Sequence, residues 1–557
     1  MIDEIVKSTR EASAVLDRIK SMPCEGLEKE VILPLLRKAV NLKLMIQEDT
    51  QTDIRKLVIM SIKRQDLRKG NLPDEVIQRE IKKYDCHQTS LAVQKKVLLL
   101  MFIERELGIA MEDDEASDIE NLDELADAVI RHLKGENDMD VTEIRRDFPI
   151  LNQEGKPLVY LDNGATTQKP QAVIDRLCRY YSMENSNIHR GSYPLSSQAS
   201  RMYERARETV RSWVDAEYGE EIVFTKGCTE SVNLAAAAVF ETYVCPGDNV
   251  IVTELEHSSN YFPWKNQCEK KCAQFRMALA QTDGSLRAED VLDQMDSRTR
   301  LIAVTAMSNV TGFCPDVDRI IREAHKRGVL VLIDAAQAVV HRAISVRQMK
   351  CDFLCFSGHK IYGPMGIGVL YGRKMYLEEM APYLYGGDMV VKGDRGEVSY
   401  KKSPSKYEAG TQDIAGALGL EAALLYLNRR GFEEMIQYEA ELGAYLRERL
   451  EAVKGVHVIG EPAVRQPLSA GSVPQPQSGG SIPPIAVFET DKLGAYDIGV
   501  LLANSGIAVR SGSHCAYPLM KRMGKESLCR VSLSFYNTKQ EIEYMAERLE
   551  RICGRGS

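Results

Sequence analysis

No apolar run in the 557 residues is long enough to cross a bilayer: the longest, Val97 to Ile103, covers seven positions against the roughly 20 required. It reads as a buried helix segment. The first ten residues, MIDEIVKSTR, mix acids with bases and lack the apolar core of a secretory signal. A basic excess is also absent. With 72 Lys+Arg against 80 Asp+Glu, the formal charge is −8, which argues against a broad nucleic-acid footprint built on clustered Lys and Arg. Thirteen cysteines occur without the close CxxC pairs of a zinc ribbon, and an odd number cannot all pair. Cys268 with Cys272, or Cys351 with Cys355, imitate ligand pairs but read better as buried thiols. No metal site, membrane span or nucleic-acid partner is expected, and the free thiols suit a reducing cytoplasm. No internal repeat is present.

What remains is a chain rich enough in apolar residues, at 44%, to build sizeable cores, with 27% charged residues as in globular proteins. At about 100–200 residues per domain the length suggests three to five domains. Residues 1–138 carry apolar positions at helical spacing, in Leu27, Val31, Leu35 and in Ile54, Leu57, Val58, Ile62. Asp53 suits a helix N-cap, Gly70 a helix stop, and further helices are expected from Ser90 to Leu107 and from Leu122 to Leu133. This is an all-α accessory domain, closed by the polar linker KGENDMD at 134–140.

Short apolar strands then alternate with amphipathic helices: Leu158–Leu161, Ile222–Thr225, Val250–Thr253, Leu301–Thr305, Val329–Ile333, Phe353–Phe356 and Gly368–Tyr371, with Asp316 and Gly328 bounding one helix. That order implies an α/β domain over 139–420 with a large, mostly parallel sheet. Residues 421–557 read as a smaller α+β domain. A stretch at 462–484, rich in Pro, Gly, Ser and Gln, interrupts it and reads as a mobile loop.

Four runs carry chemistry. In Phe356-Ser-Gly-His-Lys-Ile-Tyr-Gly-Pro, leading to Met365-Gly-Ile-Gly, a lysine sits in a polar, glycine-lined turn after a strand and can form a Schiff base with an aldehyde cofactor. The glycines let backbone approach a phosphate, and Ser357 and His359 can donate to it. The spacing matches neither the Rossmann fingerprint nor Walker A. Asp334, at the end of the strand in VLIDAAQAVVH, suits a protonated pyridine nitrogen, although a helix N-cap would use the same residue. TKGCTESVN follows a strand and opens a helix, where free amides and the Thr229 hydroxyl make an anion seat. His257, in EHSSN, can lie against an aromatic ring and shuttle protons, or serve only as a satisfied polar group. Each run follows a predicted strand, so the four converge on one edge of the sheet.

Together with YLDNGATTQKP, NIHRG, SNVTG, YEAGTQD, AVRSGSHCAYPLM and CRVSLSFYNT, these runs resemble fold-type I, pyridoxal 5'-phosphate (PLP)-dependent enzymes of aminotransferase class V. They are most similar to the group II (SUF-type) cysteine desulfurases, from about Asp140 to the C-terminus apart from the loop at 462–484. The resemblance implies that Lys360 holds the cofactor covalently and moves protons. It implies that Asp334 meets the pyridinium, His257 stacks on the ring and Gln337 contacts the phenolic oxygen. Thr229, Ser357 and His359 would bind the phosphate, with Thr411 reaching it across the interface of a homodimer. Asn309, Arg510 and Arg530 would handle the substrate, Arg530 as a bidentate partner of its carboxylate. Cys515 stands where the family places its persulfide-forming thiol, beside Arg510 and His514, which can favour a thiolate. The implied activity converts L-cysteine to L-alanine and a protein persulfide, for transfer to an acceptor or scaffold protein of iron–sulfur cluster assembly. A selenocysteine lyase or another class V PLP β-lyase on the same scaffold is the alternative. A non-catalytic scaffold of a sulfur-assembly complex is the reading of a different class.

Three runs depart from the pattern of the family this chain resembles: Cys228 stands where a second threonine is common, Ser258-Ser259 follows His257 where a second His or similar polar residue is frequent, and Ser513 stands where a histidine is common. The segment from Glu106 to Leu133 is faintly similar to the last half of an acyl carrier domain, but an Asp-Ser-Leu attachment site is missing. Docking of a sulfur acceptor or another assembly protein is the more useful expectation for residues 1–138.

Overall fold

Strands buried on both faces organise the larger part of the chain. The computed structural model describes residues 2–22, 27–47, 50–68, 89–109, 111, 116, 119–134, 140–153, 158–394, 397–460 and 483–554. The chain divides into two compact units, Met1–Asp138 and Met139–Ser557.

The first unit is built from helices: α1 (Ile2–Lys20), α2 (Lys29–Leu44), α3 (Ile54–Arg68), α4 (Thr89–Leu107) and α5 (Leu122–Lys134). Asp53 Oδ1 accepts the amide of Lys56 at 2.9 Å, capping α3 as its position suggests. In α2 the buried stripe is Ile32, Leu36, Ala39, Val40 and Leu44, while Val31 is 44% exposed. The expected Leu27–Val31–Leu35 face is therefore rotated, because Leu27 precedes the helix and does not share its period. The Val97–Ile103 run is not buried all round. Leu99, Leu100, Phe102 and Ile103 enter the core, whereas Val97, Leu98 and Met101 are exposed, so α4 buries one apolar face and leaves other apolar residues at the surface. Gly70 and nearly all of the 134–140 linker lie outside the described residues. No helix among the described residues is long and apolar enough to cross a membrane.

The second unit contains β1 (Val159–Tyr160), β2 (Ile222–Thr225), β3 (Asn249–Thr253), β4 (Gln274–Ala278), β5 (Thr299–Thr305), β6 (Leu330–Asp334), β7 (Phe353–Ser357) and β8 (Gly368–Gly372). Seven of these form one sheet in the order β2-β8-β7-β6-β5-β3-β4. β8 runs antiparallel to β2 and β7, and the pairs β7-β6, β6-β5, β5-β3 and β3-β4 are parallel. Every residue of β3, β6, β7 and β8 is buried, which is why these strands read as continuous apolar runs. Two helices start directly beyond strand ends of this sheet, α6 (Cys228–Tyr243) after β2 and α7 (Ser258–Lys271) after β3.

β1 departs from the expectation. It pairs in parallel with Ile507–Ala508 and not with the large sheet. Leu161 just beyond it is fully buried in the core of the smaller sheet, which fixes where the segment docks. β9 (Val390–Asp394) pairs antiparallel with β10 (Glu397–Tyr400). The smaller sheet comprises β11 (Val456–Ile459), β12 (Ile485–Thr490), β14 (Arg510–Gly512) and β15 (Leu528–Ser532), with β13 (Ile507–Ala508) apart from it. Its order is β11-β12-β15-β14, all antiparallel. Leu442, Leu446 and Leu450 from helix Phe432–Ala452, and Ile542, Met545 and Leu549 from helix Lys539–Gly554, share its core. The Pro-rich stretch at 462–484 falls outside the described residues except for its last two positions.

Candidate active site

The carboxyl ends of β2, β3, β5, β6 and β7 open onto a cavity of about 280 Å³, where ligands sit in open α/β sheets. Its lining includes Thr229, His257, Asn309, Asp334, Gln337, Ser357, His359 and Lys360 from the large sheet, and Arg510, Cys515 and Arg530 from the region of the smaller one. Every candidate from the sequence except Thr411 is there. Thr411 is exposed in the turn after Gly410, outside this lining.

Local backbone explains much of the convergence. β7 ends at Ser357, and a single tight turn, Gly358–Lys360, delivers the lysine. A Cβ on Gly368 would lie 2.4 Å from the Gly227 Cα, so only glycine lets β8 pass the loop that opens α6. The Cys228 amide donates to Ser357 Oγ at 2.8 Å, tying that loop to the end of β7. Cys228 Sγ lies 3.5 Å from Asp334 Oδ1, which also accepts the Ala336 amide at 2.9 Å. Burial pushes the Cys228 thiol well up, so it meets Asp334 as a neutral S–H donor. Gln337 Nε2 donates to the Gly164 carbonyl at 2.8 Å.

Burial pushes Lys360 below its usual value, and Asp334 and Cys228 only partly offset it. His257 is lowered to about 4 by burial, with repulsion from Lys360 adding to it, so it is neutral at pH 7. Its Nδ1 accepts the Ser259 amide at 3.1 Å and lies 2.9 Å from Ser259 Oγ, which in turn is 2.8 Å from Thr229 Oγ1. One helical turn thus links the imidazole to the Thr229 hydroxyl. His359 is lowered to about 4, chiefly by burial, and its Nδ1 is buried without a hydrogen-bond partner among the described residues.

Arg530 is 2% exposed. Its Nη1 donates to the Asn309 carbonyl at 2.8 Å and its Nη2 to Asp162 Oδ1 at 3.1 Å, while Nε is buried without a partner among the described residues. Asp162 also accepts from Arg510, with Nη2 at 2.8 Å. The Asn309 side-chain amide is directed at the loop that carries the thiol, donating to the His514 carbonyl at 2.8 Å. His514 differs from the expectation. Burial lowers it to about 4 and its Nε2 donates to the Leu528 carbonyl at 3.1 Å, so at pH 7 the full positive charge near Cys515 in sequence comes from Arg510 and not from His514.

Asp162 and Lys169 are positioning groups that sequence reasoning missed. Lys169 Nζ donates to the carbonyls of Thr167 at 2.6 Å and His359 at 2.8 Å, and burial pushes it down to about 7. Both lie within YLDNGATTQKP, the one signal that pointed to them.

The aminotransferase class-V family model matches residues 159–545. The chain belongs to the aminotransferase class-V family. A cysteine desulfurase of Pectobacterium atrosepticum is 41% identical over 415 residues, 74% of this chain and 98% of that protein. The crystal structure of the cysteine desulfurase CsdA from Escherichia coli is similar at 33% identity and a TM-score of 0.66, covering 74% of this chain and 98% of CsdA. A cysteine desulfurase from Thermococcus onnurineus matches with a TM-score of 0.68 at 31% identity, again over 74% and 98%. The class-V match begins at residue 159, so the N-terminal helical unit lies outside it.

Proposed function

We propose that this class-V protein is a group II (SUF-type) cysteine desulfurase that uses PLP. It transfers the sulfur of L-cysteine to Cys515 and releases L-alanine. The observation that carries this reading is that Cys515 lines the same cavity as Lys360, Asp334, His257 and Arg530. The lining fits the cofactor. A lysine driven toward its neutral amine, a buried carboxylate, hydroxyls at Thr229 and Ser357, and the unpartnered Nδ1 of His359 supply the donor set that an aldehyde, a pyridine nitrogen and a phosphate require.

When bound, PLP supplies an electron sink for the substrate α-carbon. Lys360 Nζ would hold the cofactor and, as an amine, would take and return the α-proton. The Asp334 carboxylate would hold the cofactor's pyridine nitrogen in its protonated form. Arg530, already held by Asp162 and the Asn309 carbonyl, receives the substrate carboxylate without having to reorganise. The Cys515 thiolate attacks the substrate sulfur: an S–S bond forms, the Cβ–S bond breaks, and its electron pair stays with the carbon skeleton. The balance is Cys515–SH plus L-cysteine giving Cys515–S–SH plus L-alanine.

The same reading makes the protein a cytoplasmic homodimer, with Thr411 of one subunit serving the site of the other. Its persulfide is passed on for iron–sulfur cluster assembly. Cys515→Ala is expected to lower alanine release roughly a hundredfold or more while the bound cofactor's visible absorbance persists. Undiminished turnover in that variant would overturn the assignment.

A further inference from the structure

His514 and Cys515 both have left-handed backbone, with φ of 52° and 54°. Neither is glycine, and two such residues in succession form an unfavourable conformation that persists only if outside contacts hold it. The contacts come from two sides. Asn309 Nδ2 donates to the carbonyl of His514 at 2.8 Å. Ser258 donates twice to the carbonyl of Cys515, from its backbone amide at 2.7 Å and from its hydroxyl at 2.8 Å. Ser258 is the first residue of α7, so its amide is one of the free donors at a helix start. The amide of the next residue, Ser259, is spent on His257 Nδ1. A single helical turn therefore sets the distance between the imidazole in the cavity and the thiol at its edge.

We propose that Ser258 is a positioning residue for Cys515. Its hydroxyl, added to the amide that any residue would offer here, holds the nucleophile's loop in the left-handed conformation that places the thiol at the cavity. This rests on Cys515 being the sulfur acceptor. It assigns a role to a position where the chain departs from the family pattern. Without the hydroxyl, the Cys515 carbonyl keeps one donor and the loop relaxes toward ordinary backbone. The thiol then spends less time in line with the substrate sulfur. The effect belongs in the sulfur-transfer step and not in substrate or cofactor binding, because Ser258 directs both donors at the Cys515 loop and neither at the substrate or cofactor groups Arg530 and Lys360.

The test compares the full-length wild-type enzyme with Ser258→Ala and Ser258→Thr, loaded with PLP. Ser258→Ala is expected to lower kcat for alanine release on the order of tenfold, the worth of one hydrogen bond. KM for L-cysteine and the visible spectrum are expected to stay unchanged, and the amides of residues 513–516 to exchange with deuterium several-fold faster. Ser258→Thr, which keeps the hydroxyl, is expected to restore both kcat and protection. Unchanged kcat and exchange in Ser258→Ala would overturn the proposal, as would a defect that Thr does not restore. If wild-type enzyme forms no persulfide on Cys515, the functional reading fails, while deuterium exchange still decides whether the hydroxyl holds the loop.

Discussion

At Lys360 two effects oppose each other: burial favours the neutral amine, Asp334 and Cys228 favour the ammonium, and burial is the larger. An amine poised this way can both bond to an aldehyde and carry a proton. Lys360→Ala is expected to lower alanine release roughly a thousandfold or more with little change in thermal unfolding, since a methyl in a solvent-connected cavity costs the fold little. Arg530 differs in being tied into the fold, through the Asn309 carbonyl and Asp162. Arg530→Leu removes the buried partner of Asp162 and is expected to raise KM for L-cysteine and to destabilise the protein by about 3 kcal/mol in denaturant unfolding. His514 gives a pH signature. Its folded value of about 4 lies below the unfolded value near 6.5, so its stabilisation is complete above pH 6.5 and is lost as pH falls toward 4. His257 and His359 act in the same direction. In unfolding midpoints measured from about pH 7 to 4.5, His514→Gln is expected to fall less steeply than wild type. An identical slope would contradict the burial argument.

At the scale of elements, the site depends on where strands stop and on how closely β8 passes the loop before α6. Gly368→Ala places a methyl 2.4 Å from backbone that cannot yield, and is expected to cost about 2 kcal/mol or more and to loosen cofactor binding. A cofactor affinity and stability equal to wild type would show that the loop can retreat. Strands such as β6 and β7 were legible because burial on both faces leaves an unbroken apolar run. β4 was not, because it is an edge strand whose residues are mostly part-exposed and whose composition is mixed. β1 was legible as a strand but assigned to the wrong sheet, since two residues carry no information about their partner. The runs after strands placed Lys360, Asp334, His257 and Thr229 correctly at one edge. The contacts that organise them were invisible for a different reason: Arg510 with Asp162, or Cys515 with Ser258, join residues 348 and 257 positions apart, and no local pattern records such a pairing.

For the whole molecule, the class-V match and the cavity both fall within residues 139–557, and residues 1–138 form a compact unit of their own. A chain beginning at Asp140 is therefore expected to release alanine at the full-length rate when a small thiol removes the sulfur. If the helical unit docks the acceptor, that shorter chain transfers sulfur to its acceptor protein more slowly, and equal transfer would remove the docking role. Whether the Cys515 Sγ receives the substrate sulfur is decided by mass spectrometry of the PLP-loaded protein after incubation with L-cysteine. A gain of one sulfur on the peptide carrying Cys515 is expected, together with one equivalent of alanine. Alanine formed with that peptide unchanged, or with the sulfur on another cysteine, would contradict it.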